Sequence, residues 1–239
     1  HQPMYHLLVN LSFLEIWYTS NIVPKTLLIL IAKQKAISVA GCLAQFYFFG
    51  SLAATECLLL AVMSYDRYLA ICQPLHYPIL MTGPLCVRLA ASSWLCCFLL
   101  TAITMVLLSR LTFCGPNDID HFFCDFAPLV HLSCMDTSLI ETITYATSSA
   151  VTLVPFLLII ASYSCILAAI LRISSSTGRQ KAFSTCSSHL IMVMMFYGTL
   201  IATYLVPSAN SSQLLRKGFS LLYIILTPMF NPVVYRMKT

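Results

Sequence analysis

In 239 residues the chain carries 59% hydrophobic and only 9% charged side chains, a formal net charge of +5 and a mean hydropathy of +0.85. A soluble domain carries about 25% charged residues, so a water-exposed globular domain is excluded and solvation by lipid is expected. The charge is modest and spread over connecting segments, so no nucleic-acid partner is expected, and no basic–apolar–small leader opens the chain, so no cleavable signal peptide is expected.

A membrane-crossing helix needs about 20 mainly apolar residues, because its backbone groups must be satisfied without water. That requirement places spans near 4–30, 40–71, 86–108, 139–171, 182–206 and 215–236. Several exceed the minimum, so their ends project or tilt. Most prolines lie near span ends, whereas Pro155 and Pro228 lie inside spans and predict kinks. No fixed-period repeat or Gly/Ser linker divides the chain, so residues 1–239 read as one all-α membrane domain.

In chain order, the first span carries Glu15 deep within its apolar run, and an inert Asn10-Leu11-Ser12 pattern. The second opens at Cys42 and shows Phe46, Phe49, Gly50, Ala53 and Ala54, which mix bulk with space at helical spacing. It then carries Glu56 and ends on Asp66-Arg67 between Tyr65 and Tyr68. Charges at a membrane-buried helix end are costly unless paired and functional. The alternative is an acid–base pair that only anchors the helix at the interface. Glu56 lies roughly 15 Å from Asp66 along the axis, and Glu15 lies at a similar depth. Two carboxylates near mid-membrane repel if both are ionised. Either one is protonated or a cation joins them, which makes a cation or proton site; the alternative is a neutral, hydrogen-bonded structural pair.

After the third span, residues 109–138 hold Cys114, Cys124 and Cys134, with Asp118, Asp120, Asp125 and Asp136. Cys42 shares that face, and four cysteines form an even set that points to the oxidising side. Three pairings are open, with free thiols the alternative. The other seven cysteines (Cys57, Cys72, Cys86, Cys96, Cys97, Cys165 and Cys186) sit in or beside apolar runs and read as small hydrophobes. An even number of spans puts both visible termini on one side. Taken alternately, the span ends divide the 13 basic residues seven to six, a weak positive-inside signal. The cysteines decide better and make both visible termini cytoplasmic.

The fourth span brings Thr147, Ser148 and Val151 to its outer half, and Ser174, Ser175, Ser176 and Thr177 form a polar cytoplasmic turn after it. In the fifth, Tyr197 and Tyr204 are seven residues apart and share one helical face, with Leu200 and Ile201 between them. Asn210-Ser211-Ser212 has a glycosylation pattern.

The run Met63-Ser64-Tyr65-Asp66-Arg67-Tyr68-Leu69-Ala70-Ile71-Cys72 resembles the signature that ends the third helix of rhodopsin-like G-protein-coupled receptors, in the wording of olfactory receptors. Pro3-Met4-Tyr5, Leu11-Ser12 and Pro24-Lys25 resemble that family's second helix, and Ser162-Tyr163 its fifth. Lys181-Ala182-Phe183-Ser184-Thr185-Cys186-Ser187-Ser188-His189-Leu190 and Phe196-Tyr197-Gly198 resemble its sixth, and Pro228-Met229-Phe230-Asn231-Pro232-Val233-Val234-Tyr235 its seventh. These motifs keep family order over nearly the whole chain. The expected architecture is therefore a seven-helix receptor bundle of which six helices are present, a fragment without the amino-terminal tail and first helix.

The resemblance implies an odorant receptor of the plasma membrane that binds small volatile molecules and activates a stimulatory heterotrimeric G protein, raising cyclic AMP. It makes Asp66, Arg67, Tyr68, Tyr163 and Tyr235 the coupling switch, with Arg67 held by Asp66 at rest. It pairs Cys42 with Cys124 and Cys114 with Cys134, and equates Glu15 and Glu56, with Asn231 nearby, with a sodium pocket. The ligand would meet Phe46, Phe49, Gly50, Ala53, Thr147, Val151, Tyr197, Leu200, Ile201 and Tyr204, an apolar lining with a few hydroxyls. For any one of these, ordinary helix packing is the alternative. His121-Phe122-Phe123-Cys124-Asp125, with His131 near, has the residue types of a metal site, but Cys124 is committed to a disulfide, so no metal is expected. A rhodopsin-like receptor for another ligand is the alternative function. A transporter would show internal repeats and broken helices, and an enzyme a nucleophile–base set; neither pattern is evident.

Overall fold

Apolar runs without water to satisfy their backbone close into helices, whose hydrogen bonds are internal. The computed structural model describes residues 2–32, 39–112, 126–131 and 133–205. Over these residues the chain forms α1 (Gln2–Ala32), α2 (Val39–Cys72), α3 (Tyr77–Leu80), α4 (Gly83–Leu108), α5 (Phe126–His131), α6 (Ser138–Leu171) and α7 (Ser176–Leu205). The span expected at 215–236 lies outside the described residues.

α2, α4, α6 and most of α7 are each long and apolar enough to cross a membrane. At 34 residues, α2 and α6 are roughly 50 Å long, more than the ~30 Å hydrocarbon core, so their ends reach past it. Large apolar side chains face outward along the helices: Phe13, Leu95, Ile103, Leu157, Leu167 and Met194 are all more than half exposed. A water-soluble monomer does not carry that surface; a chain solvated by lipid does.

The helix boundaries depart from the apolar runs at two places, for local reasons. α4 starts at Gly83 because Pro84, whose missing N–H costs nothing in a first turn, sits at its opening. α7 starts at Ser176, well before the apolar run at 182, because Gly178 N–H donates to Ser175 Oγ and closes a polar first turn. Ser176 and Thr177 thus belong to that first turn, and only Ser174 and Ser175 remain of the connecting turn the polar run suggests. Pro155 lies buried inside α6.

α2 is the hub. It packs on α6 most extensively, then on α4, α1 and α7. One buried cluster joins α1, α2 and α4 through Leu7, Leu11, Leu14, Leu52, Leu59 and Cys86. A second joins α2, α6 and α7 through Cys57, Leu60, Ile159, Val193, Phe196 and Tyr197. Hydroxyls inside the helices mostly return to their own backbone, as Thr55 does to Ser51 O at 2.7 Å and Thr101 to Cys97 O at 2.9 Å. Asn10 is occupied on both sides: Trp94 Nε1–H donates to its Oδ1 at 3.2 Å, and its Nδ2 donates to His6 O.

Candidate functional site

Three sites follow from this packing, one at each end of the bundle and one between. At the end where α2 runs into α3, Asp66 and Arg67 are both buried, with 1% and 7% of their surface exposed. Arg67 Nε lies 4.0 Å from Asp66 Oδ2, and the Tyr77 hydroxyl donates to Asp66 Oδ1 at 2.9 Å. Asp66 is therefore shared between a cation on its own helix and a phenol from α3. Burial, and then the Asp66 carboxylate, pushes the Tyr77 hydroxyl well above its ordinary range, so it stays a donor. Arg67 Nη2 is buried with no hydrogen-bond partner among the described residues. An unsatisfied guanidinium N–H inside protein is costly, which leaves this arginine ready to take an acceptor. Tyr68 stacks on Tyr65 and packs on the cluster of Ile166 and Ile170 of α6 with Cys186 of α7.

Across from α2, Tyr163 of α6 and His189 of α7 form a 2.6 Å hydrogen bond, and their rings stack at 5.7 Å. The Tyr163 hydroxyl lies within electrostatic range of Arg67. Arg67, Tyr163 and His189 thus bring three helices to one polar junction. Tyr77 lies in no motif of the sequence, and His189 enters only as one member of the Lys181–Leu190 run. The available signals were a tyrosine 11 residues after Asp66 in a short connection, and an imidazole inside an otherwise apolar run.

Midway along the bundle, Glu15 and Glu56 are both buried, 7% and 4% exposed, and lie within electrostatic range of each other. They project from α1 and α2 into the same interior. Asn231, expected near them, lies outside the described residues.

Toward the other end, the expected ligand-lining residues divide between two faces of α2. Phe49 and Ala53 pack with the α1–α4 cluster, Phe49 5.2 Å from Tyr18 between ring centres. A Cβ added to Gly50 would meet Thr101 Cγ2 at 3.4 Å, so Gly50 faces α4. Phe46 packs against Phe126, in a cluster with Leu108, Leu111 and Val130. Tyr197 and Leu200 instead join α7 to α2 and α6; Tyr197 packs on Phe156 at 4.6 Å, and its hydroxyl donates to Thr152 O at 3.5 Å. Thr147 and Val151 are half-buried, with the Thr147 hydroxyl bonded to Ile143 O, while Ile201 is 50% exposed. Tyr204 belongs to α7, with its side chain outside the described residues.

At this end Cys42 and Cys134 are disulfide-bonded, and Cys114 and Cys124 lie outside the described residues. The seven other cysteines form no disulfide. Hydrogen bonds from the Ser138 side chain and backbone to Asp136, at 2.5 and 3.0 Å, hold that carboxyl below its ordinary range and fix the start of α6. Tyr235, Asn210 and His121–Asp125 lie outside the described residues.

The family model for olfactory receptors matches residues 1–239. Human olfactory receptor 11A1 is 52% identical over 238 residues, a stretch covering 100% of this chain and 75% of that protein. Human olfactory receptor 11H4 is 50% identical, with 100% and 74% covered. Rat olfactory receptor 226 is 47% identical over 242 residues, with 100% and 74% covered.

Proposed function

This chain belongs to the olfactory receptor family, and from that premise we propose that it is an odorant receptor of the plasma membrane which takes small volatile molecules among its helices and activates a stimulatory heterotrimeric G protein, raising cyclic AMP. The family is one of receptors, not enzymes, and the apolar helices make the chain a multi-pass membrane protein. The Arg67 end faces the cytoplasm, and so do the visible termini. The Cys42 end faces outward, with Cys42 paired to Cys124 and Cys114 to Cys134. The disulfide-bonded state of Cys42 and Cys134 supports that orientation.

The observation that carries the reading is the shared carboxylate of Asp66. Arg67 and Tyr77 both draw on it, and an arginine so held can exchange partners without being left in lipid. Ligand binding need only favour one arrangement of α6 and α7 over another. Tyr197, which ties α7 to α2 and α6, is placed to sense an occupant above it. Shifting α7 strains the Tyr163–His189 bond and offers the Arg67 guanidinium to the G protein. The exposed Leu75 and Ile79, beside this junction in and before α3, supply apolar contact for the same partner. Glu15 and Glu56 would hold a sodium ion in the resting arrangement, and its charge would offset their mutual repulsion.

A cyclic-AMP assay tests the reading, with the full-length receptor challenged with a broad panel of volatile molecules and a panel of polar agonists. A response to one or more volatiles, lost in Arg67→Ala, is expected. Responses confined to polar agonists would make it a receptor for another ligand.

A further inference from the structure

One side of α7 carries an apolar stripe that ends in charge with no exposed counterpart. Phe183, Ser187, Ile191 and Met194 recur at helical spacing and share that side, and Phe183 and Met194 are more than half exposed. With Leu190 and Met195 they line, among the described residues, an open groove of about 410 Å³. Its wall is apolar: Ser187 brings the one hydroxyl, and that hydroxyl already donates to Ser184 O at 2.9 Å. From Phe183 to Met195 the groove runs roughly 18 Å along the helix, about the depth of one leaflet of a ~30 Å hydrocarbon core. Arg179 stands one turn before Phe183 on the same side, and Lys181 flanks it; both are exposed. Arg179 spends one donor on Ile173 O, 3.0 Å from its Nη2, and its guanidinium has others to offer. No Asp or Glu follows Glu141 in the sequence. Among the described residues, the one acid at this end of the bundle is Asp66, which is buried and shared by Arg67 and Tyr77.

We propose that this side of α7 binds an anionic phospholipid, with an acyl chain in the groove and the headgroup against Arg179 and Lys181. Charge selects this occupant over its competitors. A second copy of the chain, oriented alike in the membrane, would meet the stripe across a two-fold axis and set Arg179 against its own counterpart. The span expected at 215–236 contains no acid and carries Arg236 at one end. A sterol has one small hydroxyl and no charge, so it leaves both cations unanswered, and a choline headgroup cancels its phosphate with its own ammonium. An anionic headgroup answers both cations, and such lipids concentrate in the cytoplasmic leaflet. Placing the site in that leaflet rests on the orientation proposed above; the groove and its cations do not.

The test places the full-length protein in nanodiscs whose two leaflets are alike, so that labelling does not depend on orientation. Phosphatidylserine with a diazirine in its acyl chain is photolysed there, in parallel with phosphatidylcholine bearing the same chain, and the labelled peptides are read by mass spectrometry. Residues 183–195 should take up several times more phosphatidylserine than phosphatidylcholine. The excess should vanish when Arg179→Gln is combined with Lys181→Gln, and persist in Arg179→Lys, which keeps the charge. Labelling by phosphatidylcholine, unchanged in all variants, shows that they remain folded. Equal labelling by the two lipids would make the groove's occupant ordinary boundary lipid and overturn the proposal. So would an excess that survives removal of both charges, or an excess shared evenly with the exposed faces of α4 and α6. Absence of label on α7 from either lipid would mean that protein closes the groove, and would overturn it too. A carboxy-terminal epitope stained on intact cells would sink the orientation instead, while the labelling would still decide the lipid site.

Discussion

Tyr163 of α6 and His189 of α7 meet twice, through a 2.6 Å hydrogen bond between Oη and Nδ1 and through rings stacked within 16° of parallel. Removing the bond while keeping the ring separates the two contacts. A hydrogen bond between membrane helices is worth about 0.6 kcal/mol on average, roughly a threefold change in a two-state ratio. Tyr163→Phe should change basal cyclic AMP by about that factor at matched surface expression. An unchanged basal level would make the stack, not the bond, the link between α6 and α7.

Arg67 and Tyr77 compete for one carboxylate, so their removal should have different effects. Arg67→Ala should abolish coupling while surface expression stays near normal, since alanine supplies neither charge nor donors. Tyr77→Phe takes a donor from Asp66 and leaves its charge to Arg67 alone, which should tighten the resting pair and lower basal signalling. Normal coupling in Arg67→Ala would return the pair to an interface anchor. Raised basal signalling in Tyr77→Phe would mean that the phenol restrains the switch.

The buried carboxylates Glu15 and Glu56 lie on different helices within electrostatic range, so a shared cation should report itself through ion replacement. Exchanging sodium for N-methylglucamine should shift the half-response concentration of the wild-type protein and leave Glu56→Gln unmoved. Insensitivity in both would favour a neutral, hydrogen-bonded pair.

Tyr204 lies about 10 Å along α7 from Tyr197, on the same helical face. If its hydroxyl bonds a polar odorant, Tyr204→Phe should cost roughly 0.5–1.5 kcal/mol, up to about tenfold in half-response concentration. An apolar odorant of similar shape should be affected much less. Equal effects on both odorants, or none, would make Tyr204 packing.

Composition and the spacing of apolar residues place the chain in lipid, make it helical and locate its long apolar runs. Each of these follows from composition and from the need to satisfy backbone groups without water, both of which are local properties. Asp66, Arg67, Glu15 and Glu56 stand out as well, because charge inside an apolar run is conspicuous wherever the chain goes. What those charges touch depends on how the helices pack. Tyr77 reaches Asp66 only because α3 turns the chain back after Pro74, and His189 reaches Tyr163 only because α6 and α7 pack side by side. The division of the expected pocket residues was equally hidden. Phe49 and Tyr197 both sit in apolar helices at the proper spacing, yet one packs toward α1 and α4 and the other toward α2 and α6. Helical periodicity tells which residues share a face. In a helix apolar all round, it cannot tell which neighbour that face will meet, because hydrocarbon and a packed side chain make nearly the same demand.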